Sequence, residues 1–223
     1  MKTKTLITSV ALAGALIAGT TAVKANPELE LISGTSSTLV IASSPLGVLT
    51  YDGPIGQWKI NVTSGENDLG GVLDPVIDVS SLDTAKGYRG ALSGLTIEYT
   101  SGGNTANGSV TGAIGGTTTT SVLDQQYLGY TPFGTTRLLT SIGPLTGGVG
   151  GVFSGSATGS TGVTTAPYWL TEVVTISGAT RGNQQTSFDA NSAVPDGGTT
   201  MFMLGSVLAG LSGLRSKPGA KRS

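Results

Sequence analysis

This sequence predicts an all-β fold, a single antiparallel and jelly-roll-like β-sandwich built from residues 26–193. Three observations predict it. Apolar residues recur at every second position in short runs, as they do in strands with one buried face. Clusters of Gly, Pro, Asn and Asp punctuate those runs with turn chemistry. Between the two termini no window carries a helical stripe. A parallel β-helix is the alternative architecture, but no fixed repeat period supports it.

The chain begins with Lys2 and Lys4, an apolar run from Leu6 to Ala18, and the small-residue stretch Val23-Lys24-Ala25. This is the layout of a secretory signal peptide, so cleavage is expected after Ala25 and the exported segment should start at Asn26. Thr38 to Ala42 is the first candidate strand. In Gln57 to Val62 the alternation places Trp58, Ile60 and Val62 on one face. Val76 to Val79 follows, then Leu95 to Tyr99, with Leu95, Ile97 and Tyr99 inward. Val110 to Ile114, Val122 to Leu128 and Arg137 to Ile142 are further candidates. Leu170 to Ile176, preceded by Pro167-Tyr168-Trp169, brings the count to about eight. Turns are expected at Asp52-Gly53-Pro54, Ser64 to Asp68, Gly102-Gly103-Asn104 and Gly147 to Gly151. Residues 143–166, nearly all Gly, Ser, Thr and Val, are the stretch least able to pack.

The last thirty residues, 194–223, have a different character. Val194-Pro195-Asp196-Gly197-Gly198 supplies an extended residue before proline and then a turn. Thr199 to Leu214 carries no charge; as a helix it would span ~24 Å, slightly short of a ~30 Å hydrocarbon core. Arg215, Lys217, Lys221 and Arg222 follow as a basic stop that belongs on the cytoplasmic side, leaving the preceding domain across the membrane.

The pentapeptide Val194-Pro195-Asp196-Gly197-Gly198, the glycine-spaced apolar run and the basic cluster together resemble the VPDSG-CTERM group of PEP-CTERM sorting signals. Gly197 stands where the group's name has Ser, and Arg215-Ser216-Lys217 interrupts the usual basic run. The resemblance implies an exosortase-type enzyme as partner, in Gram-negative bacteria that make extracellular polysaccharide. It also implies anchoring through the C-terminal helix during sorting, followed by a cell-surface or extracellular destination. Gly56 to Thr63, Asp74 to Val79, Gly94 to Tyr99 and Ala166 to Ile176 are similar to segments of other PEP-CTERM-bearing exported proteins. That similarity implies a shared exported β domain and no activity.

Composition narrows the chemistry. Residues 26–193 carry five basic and twelve acidic side chains, a net charge of −7, which argues against nucleic acid as a partner. The chain has no Cys, so a packed core and not disulfides must hold the domain together. With no His either, a Ser-His-Asp triad, a thiol nucleophile and a histidine-ligated zinc site are all excluded. A two-carboxylate glycosidase needs only Asp or Glu, and Glu98 and Glu172 are the candidates least embedded in loops. Both are expected to face solvent opposite an apolar face, so no catalytic residue is assigned. No cofactor is expected. If calcium bound anywhere, it would be along Glu66, Asn67, Asp68, Asp74, Asp78 and Asp83, which offer oxygen ligands but no EF-hand spacing. Trp58, Tyr99, Tyr127, Tyr130, Tyr168 and Trp169 could form a sugar-stacking platform, although Trp58 and Tyr99 align with core positions. Tyr168 and Trp169 must point to opposite faces. Asn61 and Asn107 begin glycosylation-type triplets, and Thr117 to Thr120 and residues 154–165 could accept sugar or serve as linker. The expected role is a non-enzymatic structural protein of the cell surface or extracellular matrix. The alternative is a carbohydrate-binding or adhesive module acting in extracellular polysaccharide or biofilm.

Overall fold

A computed structural model describes residues 25–43, 47–68, 75–88, 90–147, 151–178 and 182–194 of the 223-residue chain. The signal-peptide stretch before Ala25 and the tail beyond Val194 lie outside the described residues.

Two antiparallel six-stranded sheets enclose one hydrophobic core. The strands are β1 (Glu28–Ser33), β2 (Ser36–Ile41), β3 (Leu49–Ile55), β4 (Trp58–Asp68), β5 (Pro75–Tyr88) and β6 (Leu95–Asn104). They continue as β7 (Ser109–Thr118), β8 (Ser121–Gly129), β9 (Arg137–Thr146), β10 (Val152–Ser160), β11 (Tyr168–Ile176) and β12 (Gly182–Ala193). The first sheet runs β2-β1-β6-β11-β8-β9 and the second β10-β7-β12-β5-β4-β3. Every pairing among the described residues is antiparallel, which removes the parallel β-helix.

Alternation creates the core. Leu29 and Leu31 of β1, Leu95, Ile97 and Tyr99 of β6, and Leu170, Val174 and Ile176 of β11 are all buried on the inner face of the first sheet. Trp58, Ile60 and Val62 of β4, Ile77 and Val79 of β5, and Phe188 and Ala190 of β12 meet them from the second. Trp58 is 1 % exposed, and its indole Nε1 donates to the Ser93 carbonyl at 2.9 Å, so its one polar atom is satisfied. Two-residue turns at Gly34 and Gly56, with φ of 60° and 56°, close the β1–β2 and β3–β4 hairpins. Glycine is favoured there because a Cβ is strained at positive φ.

Among the described residues twelve strands stand where about eight were expected, and several predicted turns prove to be strand. Asp52-Gly53-Pro54 lies within β3, an edge strand, where a missing N–H costs no ladder bond. Ser64 to Asp68 extends β4, and Gly102-Gly103-Asn104 ends β6. Residues 143–166, expected to pack poorly, hold the end of β9 and all of β10. In β10 Phe153 is buried, and every residue pairs with β7. Small residues suit this strand because it crosses close to β9: a Cβ at Gly159 would collide with the Leu139 carbonyl.

Candidate functional site

The inner face of the first sheet is not wholly apolar. In β8 the alternation that buries Val122 and Leu128 also turns Asp124 and Gln126 inward. In β11 the same rule carries Glu172 inside between Leu170 and Val174. Cross-strand register then forms a row. Thr140 of β9 is the partner of Gln126, and Gln126 is the partner of Glu172. Asp124 sits two residues from Gln126 on the same face. Thr140 is 4 % exposed and the other three are 0 % exposed, so the row is sealed from solvent.

The contacts within the row are specific. The Thr140 hydroxyl donates to Gln126 Oε1. The Gln126 side chain reaches across the interior, where Nε2 donates to the Asn191 carbonyl of the opposite sheet at 3.4 Å. Room for this comes from Gly112 of β7, where any Cβ would overlap the Gln126 amide. Among the described residues, neither carboxyl oxygen of Asp124 or of Glu172 has a hydrogen-bond partner. Lys59 and Arg137, the basic residues whose side chains are described, are exposed. Burial therefore dominates the titration of these acids. It pushes Asp124 up to about 7. Glu172 is raised well above the usual carboxylate range by burial first and by the neighbouring Asp124 charge second. The nearby Gln126 amide opposes this in part without completing a hydrogen bond.

A third acid, Asp83, faces inward from β5 in the opposite sheet. Burial raises it to about 7, against the opposing effect of the Ser81 hydroxyl, which donates to Oδ1 at 2.6 Å.

Glu172 was expected to face solvent and does not. With Leu170, Val174 and Ile176 inward, a period of two leaves residue 172 no other side. Glu98 does take the outer face, half-buried, paired with Glu30 and raised by burial and then by that neighbour's charge. The two candidates thus lie on opposite faces of one sheet.

The remaining predicted residues are dispersed. Asp78 and Asp83 share β5 but point to opposite faces, so they cannot ligate one ion. The side chains of Glu66, Asn67, Asp68 and Asp74 lie outside those described. Asp78 meets Asp189 on the outer face of the second sheet, where partial burial, the hydrogen bond to Asp189 and its charge raise it. Trp58, Tyr99 and Tyr168 are fully buried, and the Tyr168 hydroxyl donates to the Ala106 carbonyl at 2.8 Å. Trp169 and Tyr127 are half-buried on the outer face of the first sheet, and Tyr130 is exposed, so the six aromatics form no common platform. Asn61 is exposed on β4. Asn107 is exposed too, with Oδ1 accepting from the Thr164 N–H at 2.8 Å and its hydroxyl at 2.6 Å. Thr117 to Thr120 is no free linker: Thr118 is buried against the Thr186 hydroxyl at 2.8 Å, and Thr119 bonds Gln184 and Gln185. Ala25 is half-buried, its N–H donating to the Gly102 carbonyl at 3.3 Å.

At the other end, β12 finishes at Ala193 and Val194 is buried in the core. Pro195, Asp196, Gly197, Gly198 and the basic residues Arg215, Lys217, Lys221 and Arg222 lie outside the described residues. No helix among the described residues is long and apolar enough to cross a membrane.

The fold and its sealed interior define an all-β domain whose last described strand ends at Ala193, where the C-terminal tail of the sequence begins. That tail carries a VPDSG-CTERM motif, matched over residues 193–217, as in PEP-CTERM-like proteins sorted by an exosortase. No curated protein and no solved structure matches the chain.

Proposed function

We propose that this chain is a non-enzymatic structural protein, exported, sorted by an exosortase-type enzyme, and delivered to the cell surface or extracellular matrix. The observation that carries the reading is the junction at Val194. The sorting motif begins where the last strand ends, so a folded domain is coupled to its sorting signal with no intervening linker. Before processing, the tail would hold the domain at the membrane, and afterwards the domain would be released to the surface. Non-enzymatic character is supported by where the acids lie. The two acids of the inner-face row, Asp124 and Glu172, have no exposed surface for a substrate to meet. The reading requires no cofactor.

A carbohydrate-binding or adhesive role is the second reading. It is favoured by the outer face of the second sheet, where Asp52, Lys59, Ile60, Asn61, Leu82 and Thr84 line an open depression of mixed polar and apolar character. Binding of the purified exported protein to a polysaccharide array separates the two. A saturable signal lost in Asn61→Ala supports adhesion, and no signal on any glycan supports the structural role.

A further inference from the structure

The inner-face row sets a hydroxyl nucleophile, a primary amide and a pair of carboxyl groups side by side in an interior closed to bulk solvent. We propose that Thr140 and Gln126 become joined by an intramolecular ester, Thr140 Oγ1 to Gln126 Cδ, formed autocatalytically in the folded domain with Glu172 and Asp124 carrying the protons.

Three features of the geometry support this. The Thr140 hydroxyl donates to Gln126 Oε1, so strand pairing holds it beside the Cδ it would attack. The amide is clamped from the far side by the Asn191 carbonyl and the space over Gly112, which limits its rotation away from Thr140. Glu172 is the register partner of Gln126 on the other flank, and its two oxygens and those of Asp124 have no partner among the described residues. Buried carboxyls left unpaired are costly, and they recur where proton transfer is needed.

The chemistry balances without an added reagent. Thr140 Oγ1 attacks Gln126 Cδ once its hydroxyl turns from Gln126 Oε1 and the ionised member of the carboxyl pair closes on it to take the proton. The neutral member hydrogen-bonds the developing oxyanion. Collapse breaks the Cδ–N bond, and the nitrogen leaves as ammonia with the proton taken from Thr140. The carboxyl pair ends in its starting state, and one alcohol and one amide have become one ester and ammonia. Exclusion of water protects the product from hydrolysis. The cross-link would tie edge strand β9 to β8 in a chain that has no cysteine for a disulfide.

Mass spectrometry of the exported protein tests this directly. Trypsin places Gln126 in peptide 90–137 and Thr140 in peptide 138–181. The expected result is a branched species containing both, lighter than their sum by one ammonia, about 17 Da, and split by hydroxylamine. Recovery of the two peptides separately and in full yield would overturn the proposal. Thr140→Val should abolish the branched species and Thr140→Ser should restore it. Glu172→Gln should reduce it at least tenfold, and undiminished linkage there would remove Glu172 from the reaction.

Discussion

Replacing Asp83 by Asn should remove part of the protein's dependence on pH. Asp83 has no exposed surface and is raised from 3.8 to about 7, mainly by burial. In the unfolded chain it titrates near the ordinary value. Over the window from 3.8 to about 7 the folded protein therefore holds a proton that the unfolded chain has released, so stability falls as pH rises. The contribution is fully present below 3.8 and gone above about 7. At 1.36 kcal/mol per unit, the difference amounts to about 4 kcal/mol. Asp124 and Glu172 shift in the same direction, so the parent should lose still more in total. Asp83→Asn is nearly isosteric, keeps an oxygen to accept from Ser81, and stays neutral throughout. Urea unfolding of parent and variant at about pH 4 and about pH 8 isolates the Asp83 share as a difference of differences. The variant should lose about 4 kcal/mol less than the parent across that range. Parallel stability curves, agreeing within ~1 kcal/mol, would mean that Asp83 is hydrated or paired in the folded state and would refute the reasoning.

Other perturbations test other parts of the structure. Trp58→Ala removes a fully buried indole and its hydrogen bond to Ser93, and should cost ~3–5 kcal/mol in urea unfolding. A midpoint unchanged from the parent would contradict its burial. Gly112→Val should destabilise by ~1–3 kcal/mol, because its side chain must displace the Gln126 amide. A neutral effect would show that the amide does not cross to the second sheet. In surface-extracted protein, mass spectrometry should find a mature C-terminus that retains the buried Val194 and lacks the run from Met201 to Leu214. Changing Pro195-Asp196 to Ala-Ala should abolish that terminus, whereas abundant tail peptides in the surface fraction would indicate simple anchoring.

The sequence by itself determined the all-β class, the burial of Trp58 and Tyr99, and the sorting motif at the C-terminus. Each of these is written locally, either as a period of two along one strand or as a contiguous signal. Four strands escaped that reading for reasons of chemistry. Glu28 and Glu30 lower the strand propensity of β1 although its alternation is intact, and Pro54 reads as a turn until β3 is seen at an edge. The glycines and serines of β10 have little apolar signal. In β12, Gln184, Thr186 and Ser192 occupy inward positions that a hydrophobic pattern would leave empty. The buried row was legible only in part. Strict alternation along Leu170 to Ile176 and Val122 to Leu128 turns Glu172, Asp124 and Gln126 inward, against the expectation that charged residues face water. Tertiary structure alone decided that these residues meet, because the register of β8 with β9 and β11 is not encoded within any one strand. It also decided that Gly112, one strand earlier in the chain but on the opposite sheet, leaves the space into which the Gln126 amide extends. Which side chains face inward is a property of one strand, whereas which of them touch depends on how separate strands pair and how two sheets pack.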